Sequence, residues 1–264
     1  SNHLSKLILV KKDRKNFNNF GFLVKENLLD KVFIKKLDTE FEKIISQLKS
    51  SGENINAKWN SSLTSEMEPK NSEVIHTHNV QSYSSIMLEL VQNKKILNVF
   101  ESLIGPNIIL HHTKLFLKPG NIGSAFPLHQ DWSYFPTKNN SMIAAIVHIS
   151  DSSEEMGCIR LVPTSNKAGR IDLSDGHSFN KEIHGKYDLE SAIPIIAKKG
   201  DVLFFDSCTI HGSMANRAKE PRKTILIQVY SGNDKIIKKS DHTNVQLALR
   251  GWNYNLTRNT ADKL

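Results

Sequence analysis

His129-Gln130-Asp131 sets an imidazole and a carboxylate two residues apart, and His211 follows downstream with Arg222 eleven residues beyond it. On an extended strand residues i and i+2 project from one face, so the first pair is expected to grip a metal ion from one side. A distant third histidine completes a two-histidine, one-carboxylate set, which suits non-heme Fe(II) and leaves coordination positions open for substrate and oxygen. That is oxygenase chemistry. His211 and Arg222 flank the polar turn Asn216-Arg217-Ala218-Lys219-Glu220-Pro221, so an antiparallel hairpin is expected to bring their strands side by side. A small dicarboxylate that chelates iron at one end needs its other carboxylate neutralised, and arginine does so with a planar, permanently charged fork.

The elements that must hold these groups follow from periodicity. Leu29, Val32, Phe33, Leu37, Phe41, Ile44, Ile45 and Leu48 recur at helical spacing and predict an amphipathic helix over 28–48. Polar, poorly periodic sequence over 50–79 predicts loops, and a second helical region over 84–104 ends at Gly105-Pro106. From Asn107 onward the chain breaks into short strand-like runs: 108–118, 125–133, 142–150, 158–162, 195–197, 201–205, 208–214 and 224–231. Roughly eight such strands predict a mainly β fold with flanking helices, a double-sheet jelly roll. The expected layout is one oxygenase domain over 1–264, with a helical buttress to about 106, a β core over about 107–231 and a C-terminal extension over about 232–264. Segments 50–79 and 163–191 are expected to shape the mouth of the site, since long irregular connections often serve as lids or binding loops.

Composition narrows the partners. The 39% hydrophobic and 23% charged content is that of an ordinary globular chain, and no apolar run reaches the ~18 residues that a bilayer span needs. Residues 4–10 are apolar but short, and a basic run follows without a small-residue cleavage site, so no secretory signal is expected. With only Cys158 and Cys208, both in strand-like runs, neither a disulfide framework nor a thiolate site is expected, and the cytoplasm is the default location. The net charge of +8 comes from scattered lysine pairs without interleaved aromatics, which argues against nucleic acid and mildly favours an anionic small-molecule substrate. A monomer or homodimer is expected.

Phe126-Pro127-Leu128-His129-Gln130-Asp131-Trp132-Ser133-Tyr134-Phe135-Pro136 resembles the metal-binding segment of the phytanoyl-CoA dioxygenase family. Gly157 to Lys167 resembles its glycine-rich strand and following turn, and Gly200 to Phe205 running into His211-Gly212-Ser213 resembles its second ligand segment. With the Arg222 spacing, these motifs cover residues 107–231. The resemblance implies a double-stranded β-helix, cupin-like, holding Fe(II) on His129, Asp131 and His211, with 2-oxoglutarate and O2 as co-substrates. It implies that Arg222 pairs with the distal carboxylate of 2-oxoglutarate, that Ser213 and Lys118 contact it, and that Phe126 packs along it. Hydroxylation of a small metabolite is the default outcome, with release of succinate and carbon dioxide. The carboxylate at Asp131 argues against halogenation, which needs a small residue there. Acyl-CoA or carrier-bound substrates, desaturation or cyclisation, a Zn hydrolase and a non-catalytic metal-binding protein of this fold are the alternatives.

Other residues carry weaker signals. His111 and His112 are adjacent, so on a regular strand they face opposite ways and cannot chelate together. His76 and His78 have ligand-like spacing in a loop-like region, where a pocket-rim role for His78 is the expectation. Ile146 and His148 stand where family members often carry other residues and are expected to face substrate. Trp132 and Tyr134 alternate with the ligands and are expected either to pack between layers or to line the entrance.

Overall fold

The structure, a computed structural model, describes residues 2–171, 181–238 and 242–264, without the side chains of residues 2–10 and 181–182. In chain order it runs α1 (Asn2–Phe20), β1 (Phe22–Lys25), α2 (Lys31–Ser50), β2 (Ile75–His78), α3 (Ser85–Val91), α4 (Lys94–Ile104) and β3 (Ile108–Lys118). Then come β4 (Phe126–His129), β5 (Ile143–His148), β6 (Ile159–Leu161), β7 (Ile193–Pro194), β8 (Val202–Asp206), β9 (His211–Ser213), β10 (Arg222–Ser231) and β11 (Leu247–Arg250), with short helical turns between.

Two antiparallel sheets face each other. The larger has the order β1-β8-β5-β10-β3-β11, with β2 also on β3, and the smaller runs β4-β9-β6-β7. Period-two alternation explains how the larger sheet serves two cores at once. Ala145, Val147, Val202, Phe204, Ile225 and Ile227 pack with the buried stripe of α2, α3 and α4, whereas Ala144, Ile146, Leu203, Phe205 and Leu226 pack with Ile159 and Leu161 of the smaller sheet. The fold is a cupin-like jelly roll with helices covering one sheet, and no described helix is long and apolar enough to cross a membrane.

Helix α2 matches the apolar spacing, and Asp30 caps it by accepting from Phe33 N at 2.9 Å. Val32 is the exception, being 70% exposed. The helical region expected over 84–104 is two helices, because the Asn93 side chain accepts from the amides of Lys95 and Ile96 and starts α4 afresh. The strand expected over 125–133 stops at His129, and the one expected over 195–197 is reduced to a single bridge from Ala197 to Ser152. Helix α1 carries no apolar stripe that periodicity could find. Strands β1, β2 and β11 join the large sheet from outside residues 107–231.

One irregularity matters for the site. Gln228 of β10 faces His112 of β3, but Val229 faces Leu110, so His111 is the extra residue of a β-bulge. Alternation therefore breaks, and both imidazoles turn to the same side, with their Nδ1 atoms 2.7 Å apart and both rings against Phe135. The expectation of opposite faces is overturned by this added residue.

Candidate active site

His129 ends β4 and lies directly opposite His211 of β9. Each imidazole is fixed by its own strand: Nδ1 of His129 donates to the Pro127 carbonyl at 2.8 Å, and Nδ1 of His211 to that of Thr209 at 2.9 Å. That places the lone pair of each ring on Nε2. Both Nε2 atoms face the Asp131 carboxylate, at 3.8 Å from His129 and 3.5 Å from His211 to Oδ1. Two metal bonds of about 2.1 Å at near-octahedral angles separate donor atoms by about 3 Å, so a small contraction closes the set on an ion. His129, Asp131 and His211 form the one such cluster of donor atoms among the described residues.

Asp131 does not reach this point from a strand, as its spacing from His129 suggested. It is the first residue of a 3-10 turn, Asp131–Ser133, which begins directly after an extended Gln130. Gln130 is fully buried and donates to the carbonyls of Gly169 at 2.8 Å and Cys208 at 2.7 Å while accepting from Ile171 N at 2.9 Å. The residue between the ligands thus fastens them to two other segments. Gln130→Leu would leave three buried polar groups unpaired, at roughly 1–3 kcal/mol each. A fall in unfolding free energy of about 3 kcal/mol or more in urea titration is expected, and a change under 1 kcal/mol would deny the fastening role.

A cavity of about 390 Å³ opens over the metal donors. The inner face of β10 supplies Arg222, Thr224, Leu226 and Gln228, again at period two, and Phe126, Ser213, Tyr134 and Ile146 also line it as expected. Gln228 Nε2 lies 3.3 Å from Asp131 Oδ2 and orients it.

At one end sit two buried cations. Arg222 is 4% exposed; its Nη1 donates to the Gly157 carbonyl, and its Nε has no partner. Lys118, opposite Arg222 across the β3–β10 ladder, is completely buried and donates to Ser213 Oγ at 2.6 Å and the Met214 carbonyl at 2.7 Å. Burial pulls Arg222 down to about 10, and burial together with the neighbouring guanidinium pulls Lys118 well below the lysine range. Neither is in an ion pair with a described residue. Buried charge without a counter-charge is costly, so this end is built for an anion. Lys118 stands behind Ser213 and does not line the cavity.

Three expected substrate contacts lie elsewhere. Trp132 belongs to the 3-10 turn and points out of the cavity, its ring 4.8 Å from the Arg170 guanidinium and its Nε1 toward the Thr137 carbonyl. His148 is buried, with its ring nitrogen 3.1 Å from the Asp201 carbonyl, and does not line the cavity. His78 is half-buried behind the wall, 4.5 Å ring to ring from His242. Of the two expected mouth segments, 50–79 supplies Ala57, Lys58, Trp59 and His76, whereas no described residue of 163–191 reaches the cavity and 172–180 lies outside the described residues.

Several lining residues escaped the sequence reading. Trp59, in loop-like sequence, packs with its ring centre 4.7 Å from that of His129, tilted, and 5.3 Å from that of Phe126, edge-on. Lys114 precedes Lys118 by four residues on the same face of β3, a period-two signal that was available. His242 comes from the C-terminal extension, which no pattern connects to the core.

The two histidines of the bulge and His148 of β5 remain neutral because they are buried. His111 and His148 are each lowered to about 4, chiefly by burial, and His112 well below its ordinary value for the same reason. In the unfolded chain they titrate near 6.5. Between about pH 6.5 and 4 the unfolded state therefore binds more protons, and stability falls as pH falls through that window. Asp206, raised to about 6 by burial, opposes this but is outnumbered, since His76, His78 and His242 are lowered as well. The metal-free protein is expected to lose thermal stability steadily from pH 7 to 5; an unchanged unfolding midpoint would show that these rings are protonated in the fold.

The phytanoyl-CoA dioxygenase family model matches residues 17–224. The human peroxisomal phytanoyl-CoA dioxygenase is 32% identical over 233 residues, covering 83% of this chain and 67% of that protein. A probable alpha-ketoglutarate-dependent hypophosphite dioxygenase of Stutzerimonas stutzeri is 27% identical over 62% of this chain and 61% of its own length. Among solved structures, the epimerase SnoN in complex with Fe3+, alpha ketoglutarate and nogalamycin RO shares the fold with a TM-score of 0.71 at 17% identity, covering 92% of this chain and all of that one. Because the family model spans most of the chain, from Phe17 to Thr224, and the human relative is 32% identical over 83% of it, the chain belongs to the phytanoyl-CoA dioxygenase family and is a dioxygenase.

Proposed function

We propose that this enzyme hydroxylates an unactivated C–H bond of a small metabolite, using Fe(II), 2-oxoglutarate and O2 and releasing succinate and carbon dioxide. The observation that carries this reading is the pairing, in one cavity, of a His-Asp-His donor set with the buried guanidinium of Arg222, behind which the buried Lys118 stands. His129, Asp131 and His211 would hold the iron; Arg222 would hold the distal carboxylate of the keto-diacid, with Ser213 and Lys118 supporting it. The orphaned Nε of Arg222 fits that group, since a bidentate carboxylate would satisfy it. Iron bound there supplies oxygen activation coupled to decarboxylation of the keto-diacid, and so an oxidant able to take a hydrogen atom from carbon.

The chain's own residues do the positioning. The two backbone-bonded Nδ1 atoms keep both imidazoles in the ligating tautomer, and Gln228 holds the carboxylate in place. Trp59 packs against His129 and Phe205 against His211, with Phe126 edge-on to Trp59, and these rings would exclude water from one side of a bound metal. Ile146 and Leu226 give the cavity an apolar wall. Its volume of about 390 Å³ is in the range of small-ligand sites, favouring a free metabolite over a long acyl-CoA. Both described cysteines are free and buried, in keeping with the cytoplasm as the location.

The test is anaerobic titration of Fe(II)-loaded protein with 2-oxoglutarate, followed by a substrate screen under oxygen that reads succinate. A visible metal-to-ligand absorption and substrate-stimulated succinate are expected. Absence of both, or product formation without oxygen as in a Zn hydrolase, would overturn the reading.

A further inference from the structure

The cavity holds a third cation that the cofactor reading does not use. Lys114 lies four residues before Lys118 on the same face of β3, roughly 13 Å away at about 3.3 Å per residue, and lines the cavity opposite Leu226 of β10. Its Nζ donates to His242 Nε2 at 3.2 Å and lies 5.5 Å from the Phe135 ring centre. An ammonium carries three protons, and the other two have no acceptor among the described residues. No described carboxylate is in an ion pair with it, and the nearest acidic influence on it is Asp131. A metal ion on Asp131 takes up that negative charge and adds positive charge of its own. With metal bound, Lys114 becomes a largely desolvated cation without compensation, which calls for an anion from the ligand side.

The surroundings fit such a ligand. Burial, reinforced by Lys114 itself, lowers His76 and His242 to about 4, so both line this end as neutral polar groups that leave the ammonium's charge unscreened. Lys58 adds a second cation at the rim, its Nζ 3.3 Å from Ser72 Oγ. The cavity thus carries cations at two separated places, Arg222 and Lys114, and its lining includes the metal donors and apolar walls at Ile146, Leu226 and Phe116.

We propose that the substrate of this dioxygenase is a small molecule ending in an oxyanion, a carboxylate or a phosphonate, which Lys114 binds at the end of the cavity remote from Arg222. The inference rests on the cofactor reading above and adds the substrate class to it. A substrate held by its anionic tail at Lys114 extends back toward the metal, which selects the reacting carbon by its distance from the charged group.

Propionate, ethylphosphonate and the neutral propionamide serve as probes, titrated anaerobically into the Fe(II)- and 2-oxoglutarate-loaded enzyme while the metal-to-ligand absorption is followed. One or both acids are expected to perturb the band at concentrations at least about tenfold below the amide, the discrimination given by a hydrogen bond to a charged group. Which acid binds tighter separates carboxylate from phosphonate recognition. Lys114→Met should abolish the preference while the band itself reports that the variant is folded and loaded; Lys114→Arg should keep a preference. Equal response to acids and amide, including none to any, or an unchanged preference in Lys114→Met, overturns the proposal. Failure of the band to form in the unaltered protein overturns the cofactor reading and this inference with it.

Discussion

Asp131→Ala is expected to remove both high-affinity iron binding and hydroxylation. The carboxylate is the one anionic donor of the cluster, and it faces both imidazole Nε2 atoms within 3.8 Å. Loss of a group that merely orients a metal ligand typically costs about 10–100-fold in affinity or activity. Removing a ligand should therefore exceed ~100-fold in both. The substitution also strips Gln228 Nε2 of its acceptor and Lys114 of its nearest negative charge, so no neighbouring group in the described structure replaces the lost donor. Metal titration and succinate release, measured side by side, check this. Retention of iron with unchanged turnover would take Asp131 out of the metal site.

Arg222→Lys is expected to separate the two halves of the cavity. Iron binding should stay nearly intact, because Arg222 touches none of the three donors, while the 2-oxoglutarate requirement rises sharply. The guanidinium offers a fork, one arm anchored on the Gly157 carbonyl and the Nε free. A lysine is a point charge with no fork, and here it would stand beside Lys118, already depressed by burial and by its neighbour's charge. Losing one or two hydrogen bonds to a charged group costs about 1.5–3 kcal/mol each, so the KM for 2-oxoglutarate should rise at least about tenfold. Equal losses of iron and 2-oxoglutarate affinity would count against the assigned role.

These two substitutions bracket the site because the chain assembles it from two sources. The smaller sheet and the turn after β4 bring the metal donors; the ladder between β3 and β10 brings Lys118 and Arg222 opposite one another. The hairpin expected to set the strands of His211 and Arg222 side by side does not form. β9 pairs with β4 and β6, while β10 pairs with β3 and β5, so the two residues sit in different sheets and meet across the cavity. Their closeness comes from the packing of the sheets.

What the sequence determined by itself was the donor set, the arginine and the class of fold. His129, Asp131, His211 and Arg222 are recognisable from residue type and spacing, and the nearly continuous apolar runs of β5, β8 and β10 are those of strands covered on both faces. Those signals are local, carried by side-chain chemistry and by the period of the backbone. What the tertiary structure decided was orientation wherever that period is interrupted. A 3-10 turn aims Asp131 inward and Trp132 outward, a bulge at His111 turns two adjacent imidazoles to one side, and the backbone carbonyl of Asp201 engages His148. It also decided which distant segments meet, bringing Trp59, Lys114 and His242 to one cavity. Bulges, turns and such encounters depend on hydrogen-bond partners and packing from other strands, which no window of neighbouring residues contains.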